Sequence, residues 1–252
     1  MCVVVVLWCD ASMAAQSTSA LLSLAGVYET LRISIPTTLE GMLGRADRRA
    51  CDDRLDGWCR RIIARARMDV QVVGRENLLA GQTYLVMSNH QSLYDVPVMF
   101  YVLGANLRMV TKAELFRVPV WGRAMREAGF IAIDRSNHER ACESLAEARR
   151  YLAEGIHIWI APEGTRSRTG DLLPFKKGGF ALSLEAGLPI LPVAIKGTRD
   201  TLGADRVRST YDTRVLVTIR PHIDPKAYAS MDPKAARDAL MADVRRDIAS
   251  GL

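Results

Sequence analysis

From Met68 onward, short apolar runs alternate with amphipathic stretches, and this alternation limits the chain to an α/β architecture. The spacing predicts strands at Asp69–Val73, Tyr84–Ser88, Arg108–Thr111, Phe130–Ile133, His157–Ala161, Ile190–Ile195 and Val215–Arg220. Between them lie helical patterns. One runs from about Asn137 to Glu154, with Ser136 as N-cap, Glu139 completing a capping box and Gly155 as terminator. A second spans Gly179–Ala186, and a third starts where Asp232 caps a helix with Pro233 in its first turn. A mostly parallel central sheet flanked by helices follows, with the active site in loops at the carboxyl ends of the strands.

Residues 1–67 differ in texture and read as an amphipathic helical, membrane-associating segment ahead of an α/β domain at 68–252. Leu21, Leu24, Tyr28 and Leu31 recur at helical spacing. A second stripe, Leu55, Trp58, Cys59, Ile62, Ile63 and Ala66, is surrounded by arginines. Eight arginines and four aspartates between Arg45 and Arg67 contribute +4 to the net charge of +6. Such a helix either lies on an anionic membrane surface or packs into the core with a wet outer face. Val3–Trp8 is too short to span a bilayer, and no basic stretch precedes it. The uncharged stretch Ala11–Tyr28 has spanning length but is diluted by five serines or threonines and Gln16. Met13 is an alternative start.

The positive charge favours anionic partners. Aromatic content of 6% leaves little for base stacking, and no nucleic-acid-reading motif occurs. The five cysteines, at positions 2, 9, 51, 59 and 142, form no Cys-x-x-Cys pair. A disulfide framework or zinc site is not expected, and a reducing cytoplasm fits.

The polar motifs fall at predicted strand ends. After Tyr84–Met87 comes Ser88-Asn89-His90-Gln91-Ser92-Leu93-Tyr94-Asp95, and a helix begins near Val96. A histidine and a carboxylate five residues apart on such a turn can fold back on each other. The carboxylate then holds one ring nitrogen and leaves the other free as a base. Asp95 could instead be a plain N-cap. No Gly-x-Ser-x-Gly nucleophile motif is present, so the pair would deprotonate a substrate hydroxyl directly.

The strand at His157 leads into Ala161-Pro162-Glu163-Gly164-Thr165-Arg166-Ser167-Arg168-Thr169-Gly170. The glycines allow unusual backbone angles, the arginines suit bidentate phosphate binding, and the hydroxyls add donors. Glu163 is expected to ion-pair with a neighbouring arginine and pre-orient it. The alternative is a charged surface turn. Lys176-Lys177-Gly178-Gly179 adds charge before a helix start, and the loop is not a Walker motif. Arg135 could reach the same phosphate or close a strand-end salt bridge with Asp134. Lys112 could stabilise an oxyanion or remain solvated. His138, His157 and His222 show no ligand-like spacing and read as structural.

In this order the pieces resemble the glycerolipid acyltransferase family, most of all its 1-acyl-sn-glycerol-3-phosphate acyltransferases. Four blocks carry the resemblance: Asn89–Asp95, Gly129–Arg135, Pro162–Ser167 and Leu188–Val193. It covers roughly Val70 to Thr198, and the first and third blocks are the specific ones. It implies that His90 is the general base and Asp95 its orienting partner. It also implies that Glu163, Gly164, Thr165 and Arg166, joined by Arg135, bind the glycerol phosphate. Acyl-CoA or acyl carrier protein is the implied donor, lysophosphatidic acid the acceptor, and no metal or cofactor is required. The implied place is the cytoplasmic face of the inner or plasma membrane. Other acceptors (glycerol 3-phosphate, a lyso-ornithine lipid, another lysophospholipid) and a non-catalytic phospholipid-binding module are the competing readings. Asn89 beside the histidine resembles the lysophosphatidate enzymes. Ala161 stands where the family's third block usually opens with Phe, which alters packing under the loop.

Overall fold

A computed structural model describes residues 18–133 and 138–252. Chain entry is a two-residue strand, β1 (Thr18–Ser19), followed by helices α1 (Ala20–Met42) and α2 (Arg48–Ala66). Ser19 and Asp47 start the helices by accepting hydrogen bonds from Leu22 N and Ala50 N. Then come β2 (Asp69–Val73), β3 (Leu85–Ser88), α3 (Asp95–Leu103), β4 (Leu107–Lys112), α4 (Trp121–Glu127) and β5 (Ile131–Ile133). The second half comprises α5 (His138–Ala153), β6 (His157–Ile160), α6 (Gly178–Ala186), β7 (Ile190–Lys196), α7 (Thr198–Thr201), β8 (Ser209–Thr210), β9 (Arg214–Ile219) and α8 (Pro233–Ala249).

All seven predicted strands are present, shifted by a residue or so at their ends. They form one seven-stranded sheet in the order β2-β9-β7-β3-β6-β4-β5. Strands β7, β3, β6, β4 and β5 are mutually parallel. The antiparallel step lies between β7 and β9, so β2 and β9 run together against the other five. Central β3 is buried at all four positions. Helices cover both of its faces, which is why it reads as a continuous apolar run rather than an alternating one. Asp232 caps α8 as expected, accepting from Lys234 N and Ala235 N. Ser136, the capping-box partner of Glu139, lies outside the described residues, as do Asp134 and Arg135.

The two N-terminal helices treat their apolar residues in opposite ways. Leu55, Cys59, Ile62, Ile63 and Ala66 of α2 are buried. They face α1 and α3 and share a hydrophobic core with the sheet. Contrary to the membrane-associating expectation, the arginine-rich helix does not lay this stripe on a membrane, because those side chains fill the core. Burial also pushes the Cys59 thiol up to about 11, so this cysteine is an inert packing residue.

Helix α1 packs inside out. Its buried positions are Leu22, Glu29, Ser34, Thr37 and Thr38. The carboxylate of Glu29 is fully buried and pairs with Arg61 and Arg65 of α2. Burial opposes ionisation of Glu29, but the two arginines outweigh it and hold the carboxyl below its ordinary range. Leu21, Leu24, Val27, Tyr28, Leu31, Ile35, Leu39 and Met42 remain exposed, Leu21 by 75%. No helix among the described residues is long and apolar enough to cross a membrane.

Candidate active site

The His90 turn leaves β3 at the carboxyl edge of the sheet. Asn89 extends the parallel pairing beyond the strand with its side chain: its amide donates to Ile195 O at 2.8 Å and accepts from Ile195 N at 2.7 Å. Gln91 donates to the same carbonyl. Ser92 donates to Leu202 O and accepts from Tyr94 N. The turn is therefore saturated with hydrogen bonds before any ligand arrives.

His90 Nδ1 lies 2.7 Å from Asp95 Oδ2. That oxygen also accepts from Gln91 N at 2.8 Å and Ser92 N at 2.9 Å. Two backbone N–H groups already occupy Oδ2 as an acceptor, so the hydrogen-bond network assigns the proton to Nδ1 and leaves Nε2 with a free lone pair. Asp95 is fully buried, while the His90 side chain is 21% exposed. The imidazole thus has one fixed side and one open side. Asp95 starts α3 at its first residue, and Tyr94 holds the cap position. The carboxylate of Asp95 accepts from N–H groups of the preceding turn and from none of the helix, so the plain N-cap reading fails.

The arginine loop packs against this turn. Gly164 and Gly170 adopt left-handed backbone with φ of 72° and 97°, as the sequence led us to expect. Ser167 N donates to His90 O at 2.8 Å. Glu163 is buried and does not pair with an arginine, contrary to the sequence-based expectation. Its Oε1 accepts from His90 N at 2.7 Å and its Oε2 from Leu173 N at 2.8 Å. Those N–H groups point inward with no other acceptor, so the carboxylate turns to them rather than outward. Burial pushes the Glu163 carboxyl up from its ordinary range, and the two N–H bonds partly offset it. Both peptide groups flanking His90 are therefore held by the loop.

Arg166 and Arg168 form no side-chain hydrogen bond or ion pair among the described residues, and Thr165 is exposed. Their donors are uncommitted. Lys112 is the exposed last residue of β4. Met109 is level with Trp159, and Trp159 with Val86. Lys112 is thus level with Asn89, two strands away, or roughly 10 Å. His157 is structural: it stacks on Tyr84 and accepts from Tyr84 N, and burial lowers its basicity. Sequence reasoning missed Thr198, whose hydroxyl lies 2.5 Å from Asp95 Oδ1. No spacing signal pointed to it.

A histidine with one open ring nitrogen, on a turn beside an arginine loop at the carboxyl edge of a mostly parallel sheet, has the groups needed to accept a proton beside a bound phosphate. Residues 69–196 match the family model described as Acyltransferase, and the chain belongs to that family. Among relatives, it is 32% identical over 185 residues to the mouse 1-acyl-sn-glycerol-3-phosphate acyltransferase alpha, covering 72% of this chain and 65% of the mouse protein. It is 34% identical over 145 residues to the Escherichia coli 1-acyl-sn-glycerol-3-phosphate acyltransferase, covering 57% of this chain and 58% of that one. The chain thus spans just under two thirds of the mouse relative's length. The crystal structure of the 1-acyl-sn-glycerophosphate acyltransferase PlsC from Thermotoga maritima superposes with a TM-score of 0.69 at 28% identity, over 90% of this chain and 94% of that one.

Proposed function

We propose that the protein transfers an acyl group from acyl-CoA or acyl carrier protein to the 2-hydroxyl of 1-acyl-sn-glycerol 3-phosphate, giving phosphatidic acid. The observation that carries this reading is the His90–Asp95 pair, with Nε2 free, beside arginines that have no partner among the described residues. The names of the relatives supply the acceptor.

His90 Nε2 removes the hydroxyl proton as the oxygen attacks the thioester carbonyl. The tetrahedral oxyanion is stabilised by backbone N–H groups or by Lys112. Its collapse breaks the carbon–sulfur bond, and His90 returns the proton to the departing sulfur. General-base help of this kind contributes ~10²–10⁴-fold. Arg166, with Thr165, Gly164 and Arg135, binds the acceptor phosphate and so brings the hydroxyl to His90. Glu163 serves this site by holding the His90 backbone. The chemistry draws on no metal or cofactor.

The same reading places α1 on the anionic cytoplasmic face of a membrane. Its exposed apolar face needs an apolar partner, and the basic residues of α1 and α2 suit acidic headgroups. The acceptor is itself a membrane lipid.

The test is one panel of acceptors (lysophosphatidic acid, glycerol 3-phosphate, other lysolipids) against acyl-CoA and acyl carrier protein donors. Phosphatidic acid is the expected main product. His90→Ala is expected to abolish transfer while retaining the wild-type circular dichroism spectrum. Near-normal turnover in that variant, or faster acylation of another acceptor, overturns the reading.

A further inference from the structure

We infer that Thr198 is a positioning residue for this reaction: its buried hydroxyl locks the Asp95 carboxylate in the orientation that holds His90. The inference rests on the proposed role of His90 as base and goes beyond it, since the family match ends at Lys196.

The two oxygens of Asp95 are unequally supported. Oδ2 has three donors from its own turn: His90 Nδ1, Gln91 N and Ser92 N. Oδ1 has one donor, the Thr198 hydroxyl, from 103 residues further along the chain. The terminal torsion of an aspartate is broad and roughly two-fold. Contacts to Oδ2 alone leave the carboxylate plane free to rock about that oxygen. A second anchor on the other oxygen fixes the plane, and with it the direction of the lone pair facing His90 Nδ1. Threonine suits the task because its β-branch restricts the side-chain rotamer. Thr198 and Asp95 are both fully buried, so no water competes for the bond.

The backbone delivers Thr198 to this place deliberately. Gly197, between β7 and α7, has φ of 97°, and a Cβ there would stand 2.0 Å from Arg214 O. Only glycine makes that reversal, which brings the first residue of α7 under Asp95. The next residue, Arg199, donates through Nε to Arg168 O at 3.0 Å. One turn of α7 therefore braces both the base and the arginine loop.

A hydrogen bond to a charged group corresponds to roughly 10- to 100-fold in rate. Thr198→Val is expected to lower kcat by that factor and leave the acceptor KM within about twofold. Thr198→Ser, which keeps the hydroxyl, is expected to recover most of kcat. In proton NMR, the downfield His90 Nδ1–H signal is expected to shift in the valine variant and return in the serine variant. If valine prevents folding, Thr198→Ala takes its place. Wild-type kcat without the hydroxyl overturns the inference, as does a loss that serine fails to recover or a loss expressed in KM. Activity in His90→Ala would instead overturn the base assignment, so the two failures are separable.

Discussion

The His90 turn and the Arg166 loop are neighbours at one sheet edge, yet they are built on opposite plans. In the turn the polar side chains around His90 have partners: Asn89, Gln91, Ser92 and Asp95 all bond within the fold. In the loop the buried members, Glu163 and Ser167, are bonded to the turn, while Arg166 and Arg168 present donors without partners among the described residues. The difference separates two requirements. A base works from a fixed geometry that costs no reorganisation during the reaction. A phosphate site keeps donors in reserve, because donors already paired must break those bonds before binding.

Three substitutions probe this division. The largest effect is expected from Asp95→Asn. An amide cannot accept at every oxygen-facing donor, so the imidazole loses its fixed tautomer, and kcat should fall by roughly 10²–10⁴ with little change in acceptor KM. Steady-state kinetics with the acceptor varied checks it, and a change confined to KM would break the proposed division. Arg166→Ala is expected next, and in the opposite parameter. Loss of a charge-assisted phosphate contact should raise acceptor KM by roughly 10- to 100-fold. A kcat effect alone would move Arg166 from the binding loop to the chemistry.

Glu163→Gln sharpens the boundary, because Glu163 belongs to the loop by sequence and to the turn by contact. Glutamine, like the protonated acid, offers one carbonyl acceptor to the two N–H groups, so its Tm should lie close to the wild type's below pH 4.5. Burial raises the folded-state pKa of Glu163 above its ordinary 4.5. Its contribution to stability is therefore fully present below pH 4.5 and is lost as pH rises through the raised value. The glutamine variant lacks that dependence, so the wild-type Tm should fall relative to the variant's as pH rises through this window. A wild-type Tm that rises relative to the variant's would place the Glu163 pKa on the other side of its ordinary value.

Much of this was legible before any coordinates. The β-strands of the sheet, the turn at Asn89–Asp95 and the glycines of the arginine loop follow from local pattern and short-range spacing. The reading failed where the partner was remote. Glu163 was assigned to its sequence neighbours, the arginines, but its oxygens face the His90 and Leu173 N–H groups. Proximity in sequence said nothing about which donors lacked an acceptor. The stripe on α2 was compatible with core or membrane, because amphipathicity reports that a face is apolar and not what covers it. Packing chose the core for α2 and left the apolar face of α1 outside, with a buried Glu29 holding the pair together.

By itself, then, the sequence determined the alternating α/β plan and the presence of a histidine–carboxylate pair ahead of an arginine loop. Both depend on periodicity and on residues a few positions apart. Only the tertiary structure decided that β9 runs against β7, that Glu163 grips the His90 backbone, and that Thr198 reaches Asp95 across 103 residues. These are contacts between elements brought together by burial of the common core, and a chain carries no local mark of which distant donor will meet which acceptor.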